Sequence, residues 1–576
     1  MIIRFRTRDG MFRINVDAGS DFLLVLEELV GKLSTNDIQS IYISDKPNSK
    51  GEQANSLCGR SVNDLGFKNG DLLFVTYEST GEPPKTESSA PLTTAKTTNG
   101  ANVSINMNDI SIPINKGPGP LKVDQLPVDG LLDKEEGMIM RPRSDLCRHG
   151  DKGMCEYCSP LPPWDKDYRK EKGFKHMSYH AHLNEINESK NNRNNATSYM
   201  APLEEPNYNI NLNCPSGSHA PYPKGICSKC QPPVITLQQQ QFRMVDHVEY
   251  ADSTILNKFI DSWRTTGVQR FGILYGRYEQ FDKVPLGIKA VVEAIYEPPQ
   301  SGELDGLTLL PWENERQVDE IAASLGLYKV GMTFTDLTDS GAKNGTVLCK
   351  RHKNSYFLSC LEVIMAAKYQ VSNPNITKHS NSGRFSSKFV TCVISGGMNG
   401  EIEPRSYQVS NSAEALIKAD IITGSTQPSM LYINDSEGKR YVPDVFYSKI
   451  NEYGLEVKTN AKPAFPVEFL LVSLSDSFPL DPSPMFRENF PIENRDFMGD
   501  LQDLKSAYNY LNADPGDGSQ LFDFHFLTYI AKTGILSHDE LKLVLSYVRN
   551  KDQTDYLQLV ESPGWMTFIT ILEQSV

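Results

Sequence analysis

The stretch GIKAVVEAIYEPP, residues 287–299, decides the fold of the middle of the chain, because its apolar run closed by two prolines predicts a strand. RFGILYG at 270–276 and YKVGMTFTD at 328–336 predict further strands, and the second of these places alternate apolar side chains on one face. TILNKFIDSWRTTG at 254–267 has apolar residues at helical spacing. Helices and strands that alternate in this way predict a sheet covered by helices, here a mixed α/β core from about 235 to 500.

The end of the chain, from about residue 500, is predicted to be helical. In SHDELKLVLSYV, residues 537–548, Ser537 and Glu540 stand at the spacing of a capping box. The apolar residues that follow recur on one helical face: Leu541, Val544, Leu545 and Val548.

The first part of the chain, residues 1–79, predicts a small α/β domain. IIRFRT at 2–7 and MFRINV at 11–16 alternate as two half-buried strands of a hairpin. A helix starts at Ser20 or Asp21 and carries apolar residues at helical spacing, namely Phe22, Leu26, Leu29, Val30 and Leu33. A turn at Asn69-Gly70 then leads into a last strand. Hairpin, helix and late strand are the order of a ubiquitin-like domain, although a compact domain without a fixed partner is left open.

Length, charge and composition limit the protein class. At 576 residues we expect three or four domains of roughly 100–200 residues each. The net charge of −14 and the pI of about 5.3 argue against nucleic acid or an anionic membrane as partner, since both attract a basic surface. The first residues do not have the order of a signal peptide, and no apolar run reaches the roughly 18 residues that span a bilayer. We therefore expect a soluble protein of the cytosol or nucleus.

Residues 80–120 differ in composition, because they are rich in Pro, Ser, Thr and Lys and lack aromatic residues. Such a segment cannot bury enough apolar surface to offset its ordering entropy, so we predict a flexible linker. A second polar stretch, residues 184–199, is predicted to be a mobile insert.

Cysteine and histidine are clustered in two sets that predict tetrahedral metal sites. Six of the ten cysteines fall between 147 and 230. The sets are C-x-H-x5-C-x2-C, with Cys147, His149, Cys155 and Cys158, and C-x4-H-x7-C-x2-C, with Cys214, His219, Cys227 and Cys230. Three thiolates and one imidazole suit Zn²⁺, and a C-x2-C turn presents two sulfurs at about 2.3 Å from the metal. We predict two structural zinc ions, because four protein ligands leave no position for a water.

The residues of this region allow other interpretations. The cysteines could be reduced and buried for packing alone. Nucleic-acid binding is disfavoured because residues 141–230 contain thirteen Lys and Arg against ten Asp and Glu. His176, His180 and His182 could form another metal site, but no carboxylate pattern accompanies them. Trp164 is expected at the surface, presented by the loop that the first zinc pins.

Seven segments together resemble the nuclear protein localisation protein 4 family, in a fungal member. They are CRHGDKGMCEYCSPLPPWDK, GICSKCQPPVITLQQQQFRMVDHVE, QRFGILYG, LGIKAVVEAIYEPPQ, SSKFVTCVISG, YVPDVFYSK and AKPAFPVEFLLV. The resemblance implies a multidomain α+β protein that comprises a ubiquitin-like (UBX-like) domain, a linker, two small zinc modules, a catalytically dead MPN-type α/β domain and a C-terminal region helical at its end. The boundaries that we assign are 1–79, 80–120, 121–235, 236–400 and 401–576.

The resemblance further implies a non-catalytic adaptor with protein partners. These partners are a ubiquitin-fusion-degradation protein, with which it forms a heterodimer, polyubiquitin chains and a hexameric AAA ATPase segregase. The ubiquitin-like domain would dock on an ATPase N-domain, and the zinc modules would rest on the ring near its pore. The implied location is the cytoplasm and nucleus, with peripheral association at the endoplasmic reticulum and nuclear envelope through partners. Ubiquitin would bind the MPN-type and C-terminal regions, where 387–396 and 465–474 could line a groove or be core strands.

The resemblance also lets the MPN-type domain be tested for a hydrolase site. An active member needs a Glu base, a His-x-His pair and an Asp around zinc. Gln269 stands at the Glu position, Phe334-Thr335-Asp336 stands at the His-x-His position, and no Asp occurs between Asp339 and Asp420. We expect no catalysis and predict that Asp336 is a turn or capping residue. The rival hypotheses are a zinc-dependent deubiquitinase and a nucleic-acid-binding export factor.

Overall fold

A computed structural model describes most of the chain. The described residues are 2–7, 10–16, 19–30, 41–44, 51–57, 60–61, 64–65, 71–76, 123–150, 153–191, 202–210, 214, 226–228, 230–438, 440–487, 489–513 and 518–575. The chain forms two compact units, Met1–Gly100 and Ala101–Val576. The predicted linker, residues 80–120, lies outside the described residues.

The first unit is a five-stranded sheet with one described α-helix. Its elements are β1 (Ile2–Thr7), β2 (Gly10–Asn15), α1 (Phe22–Val30), β3 (Tyr42–Ser44), β4 (Glu52–Gln53) and β5 (Leu72–Thr76), in the sheet order β2-β1-β5-β3-β4. β1 and β2 pair as an antiparallel hairpin, while β5 runs parallel to β1. Ile3, Phe5 and Leu26 are fully buried in the core between sheet and helix. The predicted hairpin, helix and last strand are confirmed, whereas Leu33 and the Asn69-Gly70 turn lie outside the described residues.

The second unit carries the other elements. Its first half contains α2 (Pro127–Leu132), α3 (Lys166–Lys172), β6 (Met177–Ser178), α4 (Tyr179–Asn191), β7 (Ile235–Leu237), β8 (Phe242–Arg243), β9 (His247–Tyr250), α5 (Ser253–Thr266), β10 (Phe271–Phe281), β11 (Gly287–Tyr296), β12 (Gln300–Gly302), β13 (Leu307–Leu309), α6 (Glu315–Ser324) and β14 (Tyr328–Asp336). The predicted strands and the helix of the middle region are confirmed. Residues 184–191 of the predicted mobile insert are instead the end of α4.

The second half of this unit contains further strands and a set of C-terminal helices. They are α7 (Cys360–Ser372), β15 (Val390–Gly396), β16 (Ile402–Val409), α8 (Asn411–Lys418), β17 (Ile422–Gly424), β18 (Met430–Ile433), β19 (Val445–Ile450), β20 (Glu456–Asn460), β21 (Ala464–Pro466), β22 (Leu471–Ser473), β23 (Ser475–Ser477), α9 (Leu504–Asn512), α10 (Phe524–Thr533), α11 (His538–Asn550), α12 (Gln553–Val560) and α13 (Pro563–Gln574). The predicted helical end is confirmed. The capping box of Ser537 and Glu540 at the start of α11 is present. In the described ranges, no helix combines the length and the apolar character that crossing a membrane requires.

An eight-stranded sheet forms the centre of the second unit, in the order β22-β16-β15-β14-β10-β11-β9-β23. β22 and β23 belong to one extended segment, and they pair with strands at opposite edges of the sheet, β16 and β9. The backbone N–H of Leu474, between them, donates to the carbonyl of Ser406 at 3.0 Å. One segment therefore joins both edges and closes the sheet.

The sheet continues across residue 400, where we placed a domain boundary. β15 and β16 lie on either side of that position and pair as adjacent antiparallel strands. The two segments considered for a groove are core, since 387–396 is buried throughout and Phe465, Leu470 and Val472 are fully buried. Strand pairing and apolar packing thus tie residues on both sides of 400 into one body.

Helices cover this sheet, as predicted. α5 packs Ile255, Phe259 and Ile260 into an apolar cluster with β9 and β15. A larger cluster joins the sheet to α6, α7, α10, α11 and α13. The C-terminal helices are therefore part of the same packed core as the strands.

Candidate metal centres

The first cysteine and histidine set is brought together by a tight turn. The N–H groups of Cys158 and Ser159 both donate to the carbonyl of Cys155, at 3.0 and 2.8 Å. The Cys155 N–H in turn points at the Cys158 sulfur, 3.4 Å away. The turn therefore aims both sulfurs at one point, as the C-x2-C spacing predicts.

The four predicted ligands of this set lie within one coordination sphere. The sulfur of Cys155 is 3.6 Å from that of Cys147 and 3.8 Å from that of Cys158, and His149 Nε2 is 3.1 Å from the Cys158 sulfur. A zinc ion bound at about 2.3 Å to sulfur has ligand atoms about 3.8 Å apart at tetrahedral angles. The arrangement fits tetrahedral zinc, and all four ligand atoms lie within 4.8 Å of one another.

Two arginines hold the loop that carries these ligands. Arg141 donates to the carbonyls of Glu156 at 2.5 Å and Ser159 at 2.8 Å, and Arg143 donates to the carbonyl of His149 at 2.5 Å. The hydrogen bond from Ser144 lowers the pKa of the Cys147 thiol to about 6, which favours the thiolate that a metal binds. Hydrogen bonds from the two arginine side chains to backbone carbonyls thus orient the loop.

The second set repeats the turn of the first. The N–H groups of Cys230 and Gln231 donate to the carbonyl of Cys227 at 3.0 and 3.1 Å, and the sulfurs of Cys214 and Cys227 lie 3.6 Å apart. Cys214, Cys227 and Cys230 form a possible ligand group, while His219 lies outside the described residues. Burial raises the pKa of Cys230 to about 12, so only a bound cation or a similar positive charge would favour its thiolate at neutral pH.

Trp164 is not presented at the surface, contrary to our prediction. It is half-buried and packs against the cluster that contains Met177, Tyr179 and Phe242. The exposed apolar side chains near the first metal centre are instead Met138, Met140, Leu146, Met154 and Tyr157, which are 41%, 76%, 62%, 73% and 51% exposed. The exposed apolar side chains of this module therefore lie within residues 138–157, the same segment that carries most of the metal ligands.

The three neighbouring histidines do not form a metal site among the described residues. His180 donates to Asp129 at 3.0 Å and lies 3.4 Å from Asp133, in a buried ionic cluster that also contains Lys388. His182 stacks on Phe242 with ring centroids 4.2 Å apart. The His176 ring bonds the Gln240 carbonyl, and burial lowers its pKa to about 4. The ion pairs of this cluster link α2 and α4 to each other and to Lys388, two residues before β15.

At the position of the hydrolase base lies Gln269, whose side-chain amide has hydrogen-bond partners for both its NH₂ group and its oxygen. Gln269 is 3% exposed, and its side-chain NH₂ donates to the carbonyls of Leu304 and Leu337, both at 2.7 Å. Its side-chain oxygen accepts from the Thr335 hydroxyl at 2.8 Å. Gln269 therefore links the start of β10 to the end of β14. Its side-chain oxygen is already used by these hydrogen bonds and is not free to accept one from a water.

The position of the metal-binding histidines holds an arginine network. Phe334 is buried, and the guanidinium of Arg351 lies 5.9 Å from its ring centre. Arg351 pairs with Asp336 at 2.8 Å and with Glu362 at 2.7 Å, and Lys350 pairs with Asp336 at 2.9 Å. Burial favours a higher pKa for Asp336, but Arg351 and Lys350 outweigh it and hold that pKa below its usual value. Asp336 is thus an ion-pair partner at the end of β14, and our prediction of a turn or capping residue was wrong.

Sequence reasoning missed Arg351 and the pair Asp129 and Asp133. Arg351 lies 15 residues from Asp336 with no regular spacing, and Lys388 lies 259 residues from Asp129. A buried charge has no periodic signal in a single sequence, so only the fold brings these partners together.

Comparisons with known proteins agree with this geometry. Residues 270–573 match the model of the "NPL4 family", and residues 123–267 match the model described as "NPL4 family, putative zinc binding region". A Scheffersomyces stipitis protein named Nuclear protein localization protein 4 is 67% identical over 577 residues, covering 100% of this chain and 99% of that protein. Proteins of the same name from Candida albicans and Saccharomyces cerevisiae are 57% and 50% identical, each over 100% of both chains. The chain therefore belongs to the NPL4 family.

Proposed function

We propose that this protein is a non-catalytic adaptor that recruits substrates to a hexameric AAA ATPase segregase. With a ubiquitin-fusion-degradation partner it delivers polyubiquitinated proteins for unfolding and proteasomal degradation, including degradation associated with the endoplasmic reticulum. The observation that carries the proposal is the first metal centre, where four protein ligands close the site and the segment that carries them has several exposed apolar side chains. Such a centre can hold a surface in place but offers no open position for chemistry.

We assign zinc to both centres, as two structural ions. The donor set of the first centre is complete, and the second has three thiol ligands in the described residues and the same turn. Zinc supplies folding free energy to loops that lack an apolar core. His219 is the fourth ligand that we propose for the second centre.

The ATPase is the partner that we propose for the apolar surface of the first centre. Exposed apolar patches of this kind, built from Met, Leu and Tyr, are typical of protein interfaces. The N-terminal domain would hold an ATPase N-domain. Several weak contacts joined in one chain then add avidity.

The absence of catalysis is supported by the two positions that an active MPN-type site would need. Gln269 is held by four hydrogen bonds, two given and two accepted. The guanidinium of Arg351 lies against Phe334, where a cation would repel a metal ion. The alternative, a zinc-dependent deubiquitinase, would require the side chains of both Gln269 and Arg351 to leave these positions.

The curated relatives carry a name that refers to nuclear protein localization. We accordingly propose a location in the cytoplasm and nucleus, with peripheral association at the endoplasmic reticulum and nuclear envelope through partners. Recruitment of polyubiquitin by the second unit completes the proposal, and nucleic acid is not among the partners.

The adaptor proposal is tested by docking with a purified ATPase hexamer. Cys155→Ser and Cys227→Ser each remove one ligand and should weaken seating on the ring, whereas capture through the N-domain persists. Cys349→Ser is the matched control, since Cys349 is partly exposed and belongs to neither centre. Wild-type seating by both ligand variants would contradict the proposal, and so would equal loss of seating and N-domain capture.

A further inference from the structure

Methionine is concentrated on the apolar surface of the first metal centre. In the part of the chain that the structure describes, the exposed methionines are Met138, Met140, Met154, Met398 and Met566. Three of these five lie between 138 and 154, and Met140 and Met154 are 76% and 73% exposed. No other described segment has such a cluster of exposed thioethers.

Met140 and Met154 flank the same ligand turn. Arg141, the neighbour of Met140, donates to the carbonyls of Glu156 and Ser159 within that turn. Met154 directly precedes Cys155, the first ligand of the turn. The hydrogen bonds that orient the metal ligands therefore also place the backbone that carries both methionines.

We propose that Met140 and Met154 form an oxidation-sensitive docking surface, so that their conversion to sulfoxides weakens seating on the ATPase ring. This inference rests on the proposed function and adds a regulation of the same surface. The oxidant is a peroxide, and hydrogen peroxide is the one used in the test. A sulfur lone pair attacks one peroxide oxygen, the O–O bond breaks, the S=O group forms and water leaves.

The physical effect follows from the polarity of the product. A thioether packs into an apolar contact, while a sulfoxide oxygen requires a hydrogen-bond partner there. Burying a polar group without a partner weakens binding by about tenfold or more. Methionine sulfoxide is also reduced enzymatically, so the weakened state is reversible.

Docking and oxidation should exclude each other on this surface. A methionine covered by the ring is shielded from peroxide, so oxidation acts on the undocked protein. Met398 and Met566 lie elsewhere in the chain and serve as internal references, since they are 76% and 53% exposed.

The test compares peroxide-treated and untreated full-length protein for binding to the purified ATPase hexamer. We expect about tenfold weaker seating after oxidation in the wild type and little change in Met140→Leu/Met154→Leu, which keeps the apolar bulk. Treatment with methionine sulfoxide reductases A and B should restore wild-type seating. Met398→Leu is the control variant and should remain as sensitive as the wild type.

A separate measurement distinguishes thiolate damage from methionine oxidation. Zinc content is followed at each peroxide dose, because oxidised cysteine ligands release the metal and the reductases do not repair them. Equal loss of seating in the leucine double variant, or no recovery with the reductases at full zinc content, overturns the inference. Mass spectrometry of the complex supplies a second readout, in which sulfoxide formation at Met140 and Met154 should slow relative to Met398.

The two proposals fail in different ways. Unprotected methionines in a seated complex contradict the oxidation switch, while wild-type seating by Cys155→Ser contradicts the proposed docking role of the centre itself. If the oxidised wild type seats normally while Cys155→Ser does not, the docking role of the centre is supported and only the proposed oxidation switch is contradicted.

Discussion

The Thr335 hydroxyl donates a hydrogen bond of 2.8 Å to the side-chain oxygen of Gln269. Gln269 stands at the Glu position of an MPN-type hydrolase, and Thr335 is the middle residue of the segment that stands at the His-x-His position. Here Thr335 and Gln269 are 2% and 3% exposed and bond to each other and to the backbone. At the position of the hydrolase base, the chain thus has a side chain that links the start of β10 to β14 by a hydrogen bond.

Gln269→Glu should therefore destabilise the protein without restoring activity. A carboxylate oxygen would replace the NH₂ group that donates to the Leu304 and Leu337 carbonyls, leaving a buried charge against two acceptors. We expect a loss of about 2–4 kcal/mol, read from the urea midpoint. Gln239→Glu, at an exposed position, should change the midpoint little. Polyubiquitin cleavage by the zinc-supplemented Glu variant would contradict this account of the site.

Glu297→Ala should be among the most destabilising changes in the second unit. Glu297 is fully buried and accepts from Arg270 and Arg495, each at 2.6 Å. Its removal leaves two buried guanidinium groups without their partner, at a cost of about 3–5 kcal/mol.

Glu320→Ala provides the comparison, since Glu320 and its partner Arg316 are both exposed. An exposed pair contributes about 0–1 kcal/mol. Equal shifts of the unfolding midpoint in the two variants would contradict the larger contribution that we expect from the buried Glu297 pairs.

Glu414 should make the second unit less stable as the pH rises. Burial raises the pKa of Glu414 to about 7, and the nearby Lys418 only partly opposes this. A carboxyl whose folded pKa lies above its unfolded value adds stability that is complete below about pH 4 and is lost as the pH rises towards 7. The change over this window is on the order of 3 kcal/mol.

Glu414→Gln should flatten this dependence. A Gln oxygen can still accept from Gln370 and Ser386, which are 2.8 and 3.1 Å from the Glu oxygen. Thermal unfolding at pH 5 and pH 8 would show a smaller difference for Glu414→Gln than for the wild type. The same difference in both proteins would exclude Glu414 as the cause.

The sequence predicted the parts that depend on local spacing. The β1–β2 hairpin follows from alternation, the start of α11 from Ser537 and Glu540, and the first metal centre from its C-x2-C turn. Each of these signals lies within about a dozen residues, where backbone geometry links residue type to structure.

What the sequence could not show depends on contacts between distant residues. Arg270 meets Asn494, and Leu474 meets Ser406, only after the sheet has closed. The boundary that we placed at residue 400 does not follow the sheet, because β15 and β16 pair across it. The prediction that Trp164 lies at the surface was wrong for a similar reason, since the residues that cover it lie further along the chain.

The most direct test of the whole account is the metal content of the purified chain together with its seating on the ATPase ring before and after chelation. We predict two zinc ions per chain, one held by Cys147, His149, Cys155 and Cys158 and one by the second set, and loss of seating when both are removed. A chain that contains no stoichiometric zinc, or that remains folded and seated after complete chelation, would contradict it.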